Sequence, residues 1–327
     1  MGVVATSTRR AAVVYNPIKV DIEALREVVS RIEEQANWEE TLWFETTVDD
    51  PGIGQTREAV AQGASVIMAA GGDGTVRCVA EGLHGTDARI ALLPSGTGNL
   101  LARNLDLTLD NLEHSVGAAF FGKDRPIDLG LVEAEREDGT RDKFVFVVMA
   151  GVGLDAQMIA NTNPELKKKV GWLAYVDAII RSLRGNSRLR MRFSVDDSPA
   201  RAMSAHTVLV GNCGSLPGNI LLLPEAAIDD GIFDVVALRP KGLFGWIQVW
   251  ITIVWENGVL RRTQVGRKLL SYTKEVRTLR YMKGSRFTAR LSRPEEFELD
   301  GDEFGKAVAL RATVEPGGLI VRVPADA

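Results

Sequence analysis

The chain has 327 residues, of which 45% are hydrophobic and 25% charged, and its formal net charge is −4. This length favours two domains with substantial cores, and the acidic balance argues against a nucleic-acid-binding protein, which normally presents a basic face. Two cysteines far apart in the sequence and three histidines exclude a disulfide framework and argue against a zinc site.

The first 122 residues alternate strand and helix patterns after a short N-terminus that lacks a signal-peptide run. RAAVVYN is typical of a buried strand, and DIEALREVVSRIEEQ places its apolar residues on one helical face. The strand patterns TLWFETT, SVIMAAGG and RIALLPSG follow, separated by helix patterns. This β-α-β-α-β-α-β order predicts an α/β fold, with a parallel sheet covered by helices in a first domain at residues 1–123.

Strand-like runs separated by turn residues dominate the rest of the chain. They predict a second domain at residues 124–327, built as a mainly antiparallel β-sandwich. Two helical patterns interrupt it, at residues 164–185 and in a Trp-rich stretch (residues 242–255). The final strand pattern, at residues 314–324, has no evident partner, and its return to the first domain is an open alternative.

The Trp-rich stretch is the longest apolar run, yet it is shorter than the roughly 20 residues that span a bilayer. We therefore predict a cytoplasmic protein. Trp246, Trp250 and Trp255 share one helical side. Core, homodimer interface and peripheral membrane contact all remain open for that side.

Two glycine-rich turns follow neighbouring predicted strands: GGDGT (residues 71–75) and PSGTGN (residues 94–99). Turns at the carboxyl ends of adjacent parallel strands share one crevice, and their N–H groups, with a helix N-terminus, suit phosphate. The alternative is that tight turns simply need glycine. Asp73 would repel a phosphate directly, but a Mg²⁺ ion between carboxylate and phosphate reverses that repulsion.

Three acidic motifs mark the second half: GVGLDA from Gly151, AIDDGIFD from Ala227 and ELDGDEFG from Glu298. An Asp-Gly pair between strands is first of all a hairpin signal, so turn and site interpretations stay open for the last two. GVGLDA fits a weak dinucleotide fingerprint, but Asp155 would lie beside the pyrophosphate, and the acid that should end a strand, Asp177, falls in a helix pattern.

Taken in order, NP at residue 16, GGDGT, PSGTGN, AGVGLDA, DDGIFD and LDGDE resemble the catalytic domain of the diacylglycerol kinase family. The similarity is specifically to the soluble bacterial lipid kinases related to sphingosine kinases, and it covers nearly the whole chain. It implies an ATP- and Mg²⁺-dependent kinase that phosphorylates a primary hydroxyl of a diacylglycerol-like or related lipid, with ATP bound between two lobes.

The resemblance also implies roles for individual residues. Asp73 would position ATP and Mg²⁺, and Asp300 would be the base that activates the acceptor hydroxyl. Contacts to the nucleotide would come from Asn16, Thr46 or Thr47, Gly71, Gly72, Gly74, Thr75, Ser95, Gly96, Thr97 and Asp302. The lipid would meet Asp155 and Asn99, and a structural Mg²⁺ would lie at Asp229, Asp230 and the carbonyl of Ile232.

Two departures from the family pattern matter. Asp302 stands where relatives commonly have glutamate, so a water or Glu303 would have to complete its contact. Many relatives continue NP into a Ser-Gly turn, whereas this chain has Lys19, which is either a phosphate ligand or a solvated surface lysine. An NAD kinase shares GGDGT but pairs it with an Asn-Glu dipeptide, which is absent here. A non-catalytic lipid- or nucleotide-binding module and a kinase for a small polyol remain as further alternatives.

Overall fold

A computed structural model describes residues 9–153, 188–216, 220–240 and 279–325. These residues fall into two compact units: the chain up to Leu129 with the chain from Pro316 onward, and Gly130–Glu315. The Trp-rich stretch, the helical pattern at 164–185 and Asp155 lie outside the described residues. Within the described ranges, no helix is both long and apolar enough to cross a bilayer.

The first unit is a parallel sheet with helices, as the sequence pattern predicts. Its strands lie in the order β2 (Glu39–Glu45), β1 (Arg10–Tyr15), β3 (Val66–Gly71) and β4 (Arg89–Pro94). The end of β16 (Asp302–Val323) adds a fifth strand beside β4, through Val321 and Ile90. The elements are β1 (Arg10–Tyr15), α1 (Ile22–Ala36), β2 (Glu39–Glu45), α2 (Ile53–Ala61), β3 (Val66–Gly71), α3 (Asp73–Leu83), β4 (Arg89–Pro94), α4 (Leu100–Asn104) and α5 (Leu112–Phe121).

Local sequence explains how this sheet is covered. The inner strands are buried along almost their whole length, as expected for a parallel sheet with helices packed on it. Helix α1 begins after Asp21, whose carboxylate accepts the N–H of Ala24, and ends at Asn37 in the left-handed region. Its apolar face, with Leu25, Val29 and Ile32, packs into the sheet core.

The second unit is antiparallel in all its described strand pairings, which confirms the predicted change of architecture. Its strands are β5 (Lys123–Glu135), which begins in the first unit, β6 (Arg141–Phe146), β7 (Met149–Val152), β8 (Leu189–Val195), β9 (Arg201–Ala205), β10 (Thr207–Gly211), β11 (Ser215–Leu216), β12 (Ile220–Leu221), β13 (Phe233–Leu238), β14 (Leu279–Gly284), β15 (Arg286–Leu299) and β16 (Asp302–Val323).

A large apolar cluster forms the core of this second unit. It contains Phe146, Phe233 and Phe297, all almost completely buried. Aromatic pairs within it, such as Phe146 against Phe233 at 5.4 Å between centroids, add specific packing to the area that they bury. The long strands β15 and β16 form a hairpin whose turn is Asp300-Gly301.

Candidate functional site

The residues that follow four adjacent strands of the first unit lie side by side. Asn16, after β1, donates its N–H to the carbonyl of Ala70 at 2.9 Å, and Thr46, after β2, donates to Tyr15 at 2.9 Å. Ser95, after β4, donates to the carbonyl of Gly71 at 3.1 Å. The sheet ladder therefore extends by one residue at this edge and brings together the turns that the sequence motifs define.

The two glycine turns approach each other more closely than side chains would allow. A Cβ placed on Gly96 would lie 2.8 Å from the Cα of Gly72, and one on Gly71 would overlap the hydroxyl of Thr75. A side chain at Gly96 would push the two turns apart, and one at Gly71 would clash within the first turn. The glycines therefore serve packing within and between the turns, beside the helix N-terminus of α3, which is the kind of place that suits an anion.

Asp73 links the two turns through its carboxylate. It is the first residue of α3, and its Oδ1 accepts the N–H of Leu100, the first residue of α4, at 2.6 Å. A Cβ on Gly98 would overlap Oδ2, so a side chain at this position would displace the carboxylate. Burial raises the pKa of Asp73, against the N–H groups of Leu100 and Asn99 and the charge of Lys19.

Asn99 completes the second turn. It adopts the left-handed conformation with φ of 48°, and its side chain bonds the backbone of Gly96 twice, accepting the N–H at 3.0 Å and donating to the carbonyl at 2.8 Å. The amide of Asn99 is therefore committed to shaping the turn, and its predicted contact with a lipid stays a prediction.

The remaining predicted nucleotide contacts differ in what their side chains do. The side chain of Asn16 accepts the N–H of Ile18, and the exposed Thr47 accepts the N–H of Asp50. Thr46 and Thr75 are buried. Gly74 lies in the first turn of α3, and Thr97 is exposed at the tip of the second turn.

The two glycine turns and Asp73 together form a cradle, and a cavity of about 200 Å³ lies beside it, within the first unit. Its floor is apolar, and its polar groups come from the loop after β1, the end of β4 and the start of α5. The lining includes Lys19, Val20, Leu25, Ala70, Leu93 and Ser95.

Asp300, in the second unit, has a different environment. It is 4% exposed, and its carboxylate accepts consecutive backbone N–H groups of Val147 (2.8 Å), Val148 (2.8 Å) and Met149 (2.9 Å). Hydrogen bonds of this kind favour the charged form of a carboxylate. Asp300 and Gly301 both have positive φ, 51° and 91°, so the pair forms a two-residue hairpin turn of the type I′ class.

The sequence gives no sign of the partners of Asp300. The segment that it holds joins β6 to β7, and Asn212 and Cys213 donate their N–H groups to the carbonyl of Val148 from the other side. Burial and the charge of Asp300 raise the pKa of the Cys213 thiol far above its usual range, which leaves this sulfur protonated and unreactive. No sequence pattern links residues 147–149 to residue 300.

In the acidic turn at residues 229–232, as at Asp300, a carboxylate accepts a backbone N–H beside a glycine with positive φ. The exposed Asp230 accepts the N–H of Ile232 at 3.2 Å, around Gly231 with φ of 76°. Asp234, two residues on, is an ion-pair partner of Lys283 at 3.3 Å. The turn interpretation accounts for these contacts, and the structural Mg²⁺ site at Asp229, Asp230 and Ile232 stays a prediction. Asp302 is exposed beside the Asp300 turn.

The chemistry of the cradle fits a metal that arrives with phosphate. In the described part of the chain, no three His, Cys, Asp or Glu side chains converge as a metal site. Mg²⁺ needs only one or two carboxylates when substrate phosphates and waters complete its shell. Asp73, beside the N–H groups at the start of α3, fits such a donor set.

Comparison with known proteins agrees with the motif-based resemblance. The profile described as "Diacylglycerol kinase catalytic domain" matches residues 10–132, and that described as "YegS C-terminal NAD kinase beta sandwich-like domain" matches residues 147–323. The chain is 26% identical over 302 residues to "Diacylglycerol kinase" of Bacillus subtilis (strain 168), which is 91% of each sequence.

It is also 31% identical over 232 residues to "Probable lipid kinase YegS-like" of Pseudomonas aeruginosa (strain UCBPP-PA14), covering 70% of each. The fold is similar to the crystal structure of a diacylglycerol kinase from Bacillus anthracis str. Sterne, with a TM-score of 0.66, 17% identity and 97% of each chain covered. At that identity the structural likeness supports the fold alone.

Proposed function

Because the chain belongs to the diacylglycerol kinase family of lipid kinases, we propose that it transfers the terminal phosphoryl group of ATP to a primary hydroxyl of a diacylglycerol-like lipid. One observation supports this most directly: Asp73 and the two glycine turns form a single cradle in the first unit, with backbone N–H groups and a carboxylate at the same place.

In this proposal the cradle orients the phosphates and Asp73 supplies the carboxylate. The N–H groups at the start of α3 bind phosphate oxygens, aided by the helix dipole. Asp73 would hold Mg²⁺ against those oxygens, and the ion would neutralise charge on the transferring phosphoryl group. Phosphoryl transfer depends mainly on such positioning and charge neutralisation, so the rigid link from Asp73 to Leu100 has direct value for catalysis.

The acceptor hydroxyl has two candidate proton acceptors. Asp300 is the sequence-based prediction, but its three N–H donors stabilise the carboxylate and occupy its oxygens. These contacts favour a positioning role for Asp300. Asp73 is the second candidate, and it would accept the proton only through an oxygen that does not hold Mg²⁺, because a bound cation makes a carboxylate a weaker base.

The alternatives differ in support. The matched relatives are named as diacylglycerol or lipid kinases. The NAD kinase alternative is supported by the description of the second family model, which calls the C-terminal domain similar to an NAD kinase β-sandwich. A small polyol as acceptor, homodimer formation and peripheral membrane contact through the Trp-rich stretch remain predictions. A non-catalytic binding module would bind its ligand at the cradle without transferring a phosphoryl group.

The test is transfer of radiolabelled phosphate from ATP to a panel of diacylglycerols, other lipid alcohols and small polyols, with and without Mg²⁺. We expect product only with a lipid alcohol and Mg²⁺, and almost none with Asp73→Asn. Asp49→Asn is the matched control, since it removes the same charge from an exposed loop of the same unit. Nucleotide binding without transfer to any acceptor would favour the non-catalytic module.

A further inference from the structure

A lysine stands beside the glycine turn of residues 71–75. A Cβ placed on Gly72 would lie 3.0 Å from the Nζ of Lys19, so the ammonium lies against the backbone of the turn itself. Its charge is close enough to oppose the effect of burial on the pKa of Asp73. Although Lys19 is an exposed residue, its ammonium lies at the turn, and this position favours the ligand contact among the two interpretations that the sequence left open.

The loop that carries Lys19 is fixed by short-range hydrogen bonds. Asn16 donates its N–H to Ala70 at 2.9 Å, and its side chain accepts the N–H of Ile18 at 3.0 Å. The N–H of Lys19 then donates to the carbonyl of Asn16 at 3.1 Å. Since Ala70 immediately precedes the glycine turn, these hydrogen bonds connect the loop to the turn.

Lys19 also lines the cavity beside the cradle, together with Ser95 of the second turn. The lining includes two carboxylates, Asp21 and Asp110, and no residue of the turn at 71–75. Lys19 would therefore meet phosphate groups at the turn itself rather than inside the cavity. A lysine ammonium is a compact charge with three donors on a flexible stem, which suits phosphate oxygens whose exact direction varies.

We propose that Lys19 binds the phosphate groups of the nucleotide in the cradle, so that this chain uses a side-chain cation where the glycine turn alone would supply only N–H groups. The proposal rests on the proposed function, because it assumes that a nucleotide is the ligand. It makes Lys19 a specificity residue that separates phosphorylated nucleotides from nucleosides.

The experiment compares adenosine, ADP and ATP by isothermal titration calorimetry on the whole protein, with Lys19→Met, Lys19→Arg and the wild type. Lys19→Met keeps the apolar stem and removes the charge. We expect ATP affinity to fall about 10-fold in Lys19→Met, adenosine affinity to stay within about 2-fold, and Lys19→Arg to retain most of the ATP affinity. The salt dependence of ATP binding should also be weaker in Lys19→Met.

Two controls and three outcomes make the test decisive. Ile18→Ala alters the same loop at a side chain that is 92% exposed, and Lys143→Met removes an exposed lysine from the second unit; neither should change ATP affinity. Equal loss for adenosine and ATP would show a structural role and overturn the proposal. Unchanged ATP affinity in Lys19→Met would overturn it as well, with the proposed function intact. A wild type that binds none of the three ligands would overturn both.

Discussion

Two Asp-Gly pairs, one in each unit, hold buried or half-buried carboxylates in opposite ways. Asp73 starts a helix, and one of its oxygens accepts the N–H of Leu100 while the other lies against Gly98. Asp300 occupies a hairpin turn, and both of its oxygens accept N–H groups, three in all, from one segment. The two dipeptides therefore have different local structures: Asp73 links the start of a helix to the neighbouring turn, and Asp300 forms a hairpin turn that holds a separate backbone segment.

This difference implies that the same substitution should have different consequences at the two positions. Asparagine has one acceptor oxygen and one amide donor. At position 73 that single oxygen can still accept the N–H of Leu100. At position 300 it cannot replace two oxygens that receive three N–H groups, so one donor would face the amide NH₂.

The largest effect should come from Asp73→Asn. We expect kcat for lipid phosphorylation to fall about 10³-fold, within the range typical of a lost acid–base or charge-positioning group, while the free energy of unfolding changes by less than about 1 kcal/mol, because the hydrogen bond to Leu100 persists. Steady-state kinetics and urea denaturation measure the two quantities. Near wild-type kcat would remove Asp73 from the catalytic machinery.

Asp300→Asn should cost stability as well as activity. We expect the free energy of unfolding to fall by about 2–3 kcal/mol, because a buried N–H donor loses its acceptor. Asp302→Asn, at an exposed position of the same hairpin, should change it by less than about 0.5 kcal/mol. An Asp300→Asn variant that keeps wild-type stability yet loses kcat would restore the sequence-based prediction that Asp300 is the base.

Gly98→Ala tests whether the space around Asp73 matters. The new Cβ would meet Oδ2 of Asp73, and displacing a packed group in this way typically costs about 1–3 kcal/mol. We expect kcat/KM to fall about 10- to 100-fold. Gly117→Ala is the matched control, since its Cβ would enter open space on α5, and the greater helix propensity of alanine should leave activity unchanged and raise stability slightly.

The smallest effect should come from a carboxylate at the surface of the first unit. Asp124 accepts hydrogen bonds from Arg89 and Arg322, each at 3.0 Å. Burial raises the pKa of Asp124, but the hydrogen bonds from Arg322 and Arg89 outweigh it and leave the pKa below its usual value. Because a third of this side chain is exposed, Asp124→Asn should cost only about 0.5–1 kcal/mol.

The pH dependence gives this last prediction its sign. A lowered pKa in the folded state stabilises the protein at pH values above the unfolded pKa of about 4. That contribution disappears as the pH falls through the folded pKa. The free energies of unfolding of wild type and Asp124→Asn, measured by urea denaturation, should therefore differ at about pH 7 and converge as the pH falls below the folded pKa of Asp124. A constant difference would mean that the ion pairs are not its source.

The amino-acid sequence alone was sufficient to predict the change of architecture and the place of the cradle. Apolar residues recur about every 3.6 positions on a helix and every second position on a strand, so their spacing distinguished helices from strands. Alternating strands and helices predicted a parallel sheet in the first half, and successive strands predicted antiparallel pairing in the second half. Parallel strands end at the same edge, so GGDGT and PSGTGN could be placed together from their positions in the chain. The order of six short motifs was enough to identify the family.

The role of each acidic residue depends instead on its neighbours in the folded chain. Asp300 accepts N–H groups that lie about 150 residues away in the sequence. The ammonium of Lys19, in the loop after β1, lies against the turn that follows β3. Such contacts depend on strand register and on the close approach of two backbones, which no local pattern encodes. A carboxylate in a turn and a carboxylate in a site have the same sequence signature, and the groups that surround them in space distinguish the two.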